Sequence, residues 1–208
     1  MSRFFNPDSP ILSFLSSVWD FFILNLLALV CALPVVTAGA SFSALAGVMT
    51  SFALEQTPIR ARDFFVRFRI VFLRATVSWL LLLAFAALFF MNLRIAQNMP
   101  SALRLLTVSG LVFFALCLLL CSVVLFPSLS NTKEKRLPAL WKRSFLLGIA
   151  KLPRTLPAVL IQTFPLLLLL LAPSVFVMLL PVWVLIWFSL AAFLCAKLLG
   201  RVHLVPLG

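Results

Sequence analysis

The sequence predicts an all-α protein, a polytopic transmembrane helix bundle, from its composition and from the spacing of its charges. Of its 208 residues 64% are hydrophobic and only 11% are charged, and the mean hydropathy is +1.20. A soluble domain is about half apolar and about a quarter charged. The composition therefore excludes a soluble globular enzyme, a disordered chain and a secreted disulfide-framed module.

The lengths of the charge-free runs predict the number of spans. Such a run holds 34 residues after Asp20, 19 after Arg74, 28 after Arg104 and 42 after Arg154. A helix needs about 20 apolar residues to cross the hydrocarbon core. The second and third runs hold one span each, and the last holds two, with a turn predicted at Pro173 because proline lacks a backbone donor.

The first run leaves the count open. Residues 17–35 form a span that ends near Pro34, whereas residues 37–54 are apolar but rich in small side chains, which suit close helix–helix contact. The second stretch is either a short span, giving six spans, or a helix at the membrane surface, giving five. The chain is predicted to form a single membrane domain, residues 1–208. If it has six spans, these lie at 17–35, 37–54, 75–93, 106–128, 155–171 and 174–196.

The distribution of basic residues predicts the orientation. The cytoplasmic basic segments 55–74 and 129–154 hold five and seven Lys or Arg residues, while the link from Arg94 to Arg104 holds two. The Lys/Arg bias places both rich segments and the C-terminus in the cytoplasm. Six spans put 15 basic residues inside and 2 outside, against 14 and 3 for five spans, so six is preferred.

The segment before the third span has helical periodicity and predicts an amphipathic elbow helix on the cytoplasmic surface. One apolar face contains Phe64, Phe68 and Val71, and a narrower stripe contains Val66, Ile70 and Leu73. Arginines separate the two faces and either anchor the span or form a docking surface for a partner or for lipid. These candidate docking residues are Arg60, Arg62, Arg67, Arg69 and Arg74. A second basic helix is predicted in 129–154.

Three polar residues are candidates within the membrane. Asp20 near the start of the first span either pairs with an arginine of the basic segments or carries a proton or cation role. Asn25 lies five residues further along the chain, and Gln162 lies deep in the fifth span, where it would cross-link helices. Prolines at every eighth position from Pro157 to Pro181 predict kinked helices around a cavity.

The sequence offers no catalytic constellation, cofactor motif or metal site. It has one histidine and five acids, and it lacks a glycine-rich phosphate loop. Its four cysteines lie in apolar runs and are predicted to pack in the core. We therefore expect no enzyme and no cofactor. The net charge of +12 is assigned to topology and to anionic inner-leaflet lipid rather than to nucleic acid.

The N-terminal part, about residues 4–80, contains a set of distinctive short stretches: Phe5-Asn6-Pro7-Asp8-Ser9-Pro10, Trp19-Asp20, Asn25-Leu26, the run from Cys31 to Ser41, Arg62-Asp63-Phe64-Phe65 and Phe68-Arg69. In these residues it resembles the YesL family of bacterial integral membrane proteins, a domain of unknown function. The resemblance implies a location in the bacterial cytoplasmic (inner) membrane and, since members are often encoded beside carbohydrate ABC-transporter genes, an accessory role in sugar uptake.

Three functions follow as expectations. The first is a non-enzymatic accessory or scaffold membrane protein that docks on ABC-transporter permease subunits. The second is a small-solute transporter or channel in its own right, built on the proline-rich C-terminal hairpin. The third is a membrane-organising protein that binds anionic lipid through its basic face.

Overall fold

The computed structural model describes residues 10–131 and 136–200, which are helical almost throughout and contain no strand. The stretch Phe5-Asn6-Pro7-Asp8, Lys133, Lys135 and the tail from Arg201 lie outside the described residues. The helices are α1 (Pro10–Ala32), α2 (Ala38–Glu55), α3 (Ala61–Ala96), α4 (Ser101–Asn131), α5 (Leu137–Ala150), α6 (Leu152–Leu171), α7 (Pro173–Met178), α8 (Leu180–Val182) and α9 (Phe188–Leu199).

Within the described part, five helical segments are long and apolar enough to cross a membrane. Their lengths and compositions are those of a helical membrane protein. In α1, the stretch Ser16–Ala32 is also apolar but shorter. The five segments are Val35–Glu55, Ala61–Ala96, Ser101–Asn131, Leu152–Leu171 and Leu180–Leu199.

The stretch that the sequence left ambiguous, α2, is the interior helix of the bundle. It packs against α1, α3, α4 and α9. In its most apolar stretch 67% of the residues are buried inside the protein, against 17–33% in the other four segments. Small residues make this possible because they let neighbouring backbones approach closely. The helix ends at Glu55, since Gln56 adopts the left-handed conformation (φ 53°) and Pro58 cannot continue the helix.

Serine hydroxyls of α2 connect it to its neighbours. Ser41 Oγ donates to the Ala28 carbonyl of α1 at 2.6 Å, and Ser43 Oγ donates to the Phe126 carbonyl of α4 at 2.8 Å. The Phe126 carbonyl lies directly before Pro127, which is inside α4. Such bonds satisfy polar groups where water is absent and fix the positions of the helices.

The predicted division between an elbow helix and a span from Ala75 is absent. Instead α3 is one continuous helix of 36 residues. The reason is local, because no glycine or proline occurs between Ala61 and Ala96 and α-helix hydrogen bonds continue through the arginine segment. The second basic segment does contain a separate helix, α5, which ends where Lys151 leaves helical conformation (φ −120°, ψ 37°).

The helices of the C-terminal third are interrupted just before Pro173 and Pro181. Pro157 and Pro165 lie inside α6, and the chain turns at Ala172 (φ −145°), directly before Pro173, the position where the sequence predicts a turn. After α8, residues Trp183–Trp187 form a π-helical turn that leads into α9. A π turn leaves backbone groups without their usual helical partners, so other residues must bond them.

We expect Gly39→Ala to destabilise the bundle. An added Cβ would collide with the Trp79 Cβ and lie 2.8 Å from the Ala75 carbonyl oxygen, so α2 and α3 would have to separate. The expected cost is about 1–3 kcal/mol of stability. It is measured by heating the protein in detergent and finding the temperature at which its monodisperse peak in size-exclusion chromatography is lost, which should be lower for the variant. Gly110→Ala is the matched control, because its Cβ meets nothing within 4 Å. Equal stability of the two variants would contradict the packing described.

Candidate functional site

The arginine segment of α3 has one face against the protein and one face away from it. Phe64 and Val71 are fully buried against neighbouring helices, as the apolar face predicts. The second apolar stripe is exposed: Val66 by 47%, Ile70 by 64% and Leu73 by 73%. The two-faced character predicted from the periodicity is therefore present in the structure, although it belongs to one long helix.

The five candidate arginines do not act as one set. Arg67 is half-buried and points into the bundle, where its guanidinium donates to Ser51 Oγ of α2 at 2.7 Å and to Asn131 Oδ1 of α4 at 2.7 Å. Arg67 thus joins three helices at one end of the bundle.

The exposed arginines lie on the outward side of α3. Arg62 and Arg69 are exposed and, at helical spacing, share a face with Val66, Ile70 and Leu73. We call these five residues the outer face of α3. Arg60 is exposed at the start of the helix, whereas Arg74 is half-buried and has contacts of its own.

Asn25 of α1 bonds the π-helical turn of the last span. It is fully buried, its Nδ2 donates to the carbonyls of Trp183 and Val184, and its Oδ1 accepts from the Ser189 backbone N–H at 2.9 Å. One side-chain amide therefore satisfies backbone groups on both sides of the turn. This role in connecting α1 to the last span is structural, and the π turn depends on it.

Asp20 lies about a turn and a half before Asn25 on α1 and is half-buried. Among residues 16–131 and 136–200 no basic side chain lies within ion-pair distance of it, so the structure does not bring it together with Arg60, Arg62 or the other arginines of α3. The two candidate residues of α1 thus belong to different surroundings.

Gln162 of α6 borders two apolar cavities. One, of about 220 Å³, lies between α2, α4, α6 and α9, and the other, of about 360 Å³, lies between α3, α4 and α6. The two cavities have five lining residues in common, so they adjoin: Trp79, Ser122, Val123, Phe126 and Gln162. None of the four prolines from Pro157 to Pro181 lines either cavity, and α3 and α4 contribute most of the wall of the larger one.

The sequence missed the partners of these residues. Ser51 and Asn131 stand at helix ends and give no signal that they bind Arg67, which is 16 and 64 residues away. The π turn could not be predicted from the sequence either, since Trp183–Trp187 is a uniform apolar stretch. Trp79 and Phe126 line both cavities, but nothing in the sequence distinguishes them from other aromatic residues of apolar spans.

Comparison with known proteins gives one result. Residues 21–93 match the family described as "Protein of unknown function, DUF624". The DUF624 match covers most of α1, all of α2 and α3 as far as residue 93, and so includes Asn25, Arg67 and the outer face of α3. No curated protein and no solved structure matches the chain.

We expect Asn25→Leu to cost about 2–4 kcal/mol of stability, because it keeps the number of side-chain heavy atoms and their branching but leaves buried carbonyls and a buried N–H of the π turn without partners. The measurement is the midpoint of thermal or denaturant unfolding in detergent. Asn92→Leu is the control, since Asn92 is exposed and donates only to the Leu88 carbonyl of its own helix. It should change stability by less than about 0.5 kcal/mol. Similar losses in both variants would refute the bridging role of Asn25.

Proposed function

We propose that this protein is a non-enzymatic accessory or scaffold membrane protein whose outer face of α3 docks on the membrane domain of a partner. The observation that carries the proposal is the combination of two exposed arginines with three exposed aliphatic side chains on that face. Aliphatic contact area and arginine hydrogen-bond donors together are typical of protein interfaces.

The interior bonds of Arg67 support this assignment. Because Arg67 is held by Ser51 and Asn131, the rotation of α3 about its own axis is fixed and Arg62 and Arg69 face outward. Arg67 itself is then a positioning residue rather than a docking residue. The outer face is presented by a rigid element, which favours recognition of a structured partner.

The YesL resemblance supports a permease subunit of a carbohydrate ABC transporter as the partner. The Lys/Arg bias supports a place in the bacterial cytoplasmic membrane with the C-terminus and the start of α3 on the cytoplasmic side. On that side the outer face also lies within reach of anionic lipid headgroups.

We also propose that α1 and α2 form a hairpin that enters the membrane from the arginine side and returns to it, rather than two full crossings. Ser51 contacts Arg67, and Gly39 packs on Ala75 and Trp79, so α2 runs alongside the arginine segment of α3. It accompanies only the first few residues of the apolar run 75–93. A depth shared with exposed arginines fits the interfacial half of one leaflet better than the whole hydrocarbon core.

The tip of this hairpin supports a position within one leaflet, just below the headgroup layer. Its side chains are apolar and strongly exposed, Leu33 by 78% and Val35 by 62%. Its carbonyls are bonded within the protein: Trp79 Nε1 donates to the Val35 carbonyl, and Thr37 Oγ1 donates to the carbonyls of Cys31 and Pro34. Irregular backbone at membrane depth requires such internal partners.

The docking proposal is tested by charge reversal. We expect Arg62→Glu with Arg69→Glu to abolish co-purification of the permease subunits from a strain that encodes them and to reduce sugar uptake, because the reversed charges repel the complementary surface. Arg94→Glu with Arg104→Glu is the control: it reverses as many exposed arginines at the other end of the α3–α4 pair. Unchanged association in the first variant would refute the docking face. Loss of anionic lipid alone would assign the face to lipid binding.

The hairpin is tested by cysteine accessibility in a background that lacks the four native cysteines. We expect Val36→Cys to resist a membrane-impermeant maleimide added to intact cells, because the tip does not reach the far surface. Asn98→Cys, exposed in the α3–α4 link, should react. Equal labelling at both positions would establish that α1 and α2 cross the membrane.

A further inference from the structure

We infer that the larger cavity binds one acyl chain of a phospholipid from the leaflet on the arginine side. This inference uses other residues of α3 than the docking face and does not depend on a protein partner. It rests on the shape of the cavity, on the polar groups at one end of it and on the surfaces that surround it.

The cavity is polar at one end and apolar along the rest. Three of the residues shared with the smaller cavity carry polar groups. The Trp79 indole N–H is used by the Val35 carbonyl and the Ser122 hydroxyl by the Leu119 carbonyl. Within residues 16–131 and 136–200 nothing bonds the side-chain amide of Gln162. That amide therefore has two N–H donors to offer to a ligand.

The depth of the polar end matches that of a phospholipid ester. Trp79 lies five residues after Arg74, the last arginine of the segment, a rise of about 7.5 Å along α3. Gln162 borders the same cavities as Trp79. Ester carbonyls lie just below the headgroup layer, where the exposed amide of Gln162 can donate to them. An amide that faces lipid without a hydrogen bond costs free energy.

The remainder of the cavity suits a hydrocarbon chain. From Trp79 it follows α3 to Phe89, ten residues or about 15 Å further, and is walled by Phe85, Phe114 and Leu166. The neighbouring outward surfaces of α3 and α4 are apolar and exposed, for example Phe90 by 66% and Phe113 by 69%. The cavity thus opens towards lipid chains, and the volume of about 360 Å³ falls in the range of small-molecule sites.

The test compares adjacent alanines of α3. Both alanines are exposed, but Ala86 lines the larger cavity and Ala87 lines neither. Wild type, Ala86→Phe and Ala87→Phe are purified in the same mild detergent, and the phospholipid retained per chain is measured by native mass spectrometry. We expect wild type and Ala87→Phe to retain a phospholipid and Ala86→Phe to retain about tenfold less, because the phenyl ring fills the chain's path.

A second variant keeps the test decisive if Ala86→Phe does not give folded protein. Gln162→Leu replaces the amide with an apolar side chain that has one heavy atom fewer, and should lower retention about tenfold, the effect of losing one hydrogen bond. Equal retention in Ala86→Phe and Ala87→Phe, or in Gln162→Leu and wild type, overturns the inference. Detergent in place of phospholipid on the wild-type chain, at equal levels in every variant, overturns it as well.

Discussion

Close contact between α2 and α3 is the constraint on which the other contacts depend. Gly39 lets the two backbones meet at Ala75 and Trp79, and Arg67 fixes the same pair of helices near their other ends through Ser51. Two fixed points on one helix pair leave little freedom to slide or rotate. The serines of α2 then position α1 and α4, so the central helix sets the arrangement of its neighbours.

Several polar side chains in this protein bond backbone groups of other helices or of turns. Asn25 bonds the π turn, Ser43 bonds the carbonyl before Pro127, and Thr37 bonds the carbonyls of the turn between α1 and α2. At the π turn and at the turn between α1 and α2 the backbone is irregular, and the hydrocarbon offers no water to satisfy the freed groups. Asn25 and Thr37 bond carbonyls there. Gln162 differs from them because it is exposed and bonds none of the described residues, and the inferred lipid partner would supply its acceptor.

The sequence predicted much of the architecture because membrane helices leave strong one-dimensional signals. The spacing of charges located the long apolar segments, and Pro173 located a turn. The helical periodicity of residues 60–74 placed Phe64 and Val71 on a different face from Ile70 and Leu73. The prediction was wrong where residues with different roles have the same sequence pattern. It divided α3 at Ala75 because charge changes there, although the absence of glycine and proline keeps the helix continuous. It also grouped Arg67 with Arg62 and Arg69, which lie on another side of the helix from the bundle interior.

By itself, the sequence determined the class of protein and the places of the apolar segments, because hydropathy and charge act locally along the chain. Only the tertiary structure decided which polar group meets which. Arg67 joins Asn131 across 64 residues and Asn25 joins Ser189 across 164. Such pairs are set by helix rotation and register, and these depend on the packing of small residues such as Gly39 in three dimensions rather than on any pattern within one helix.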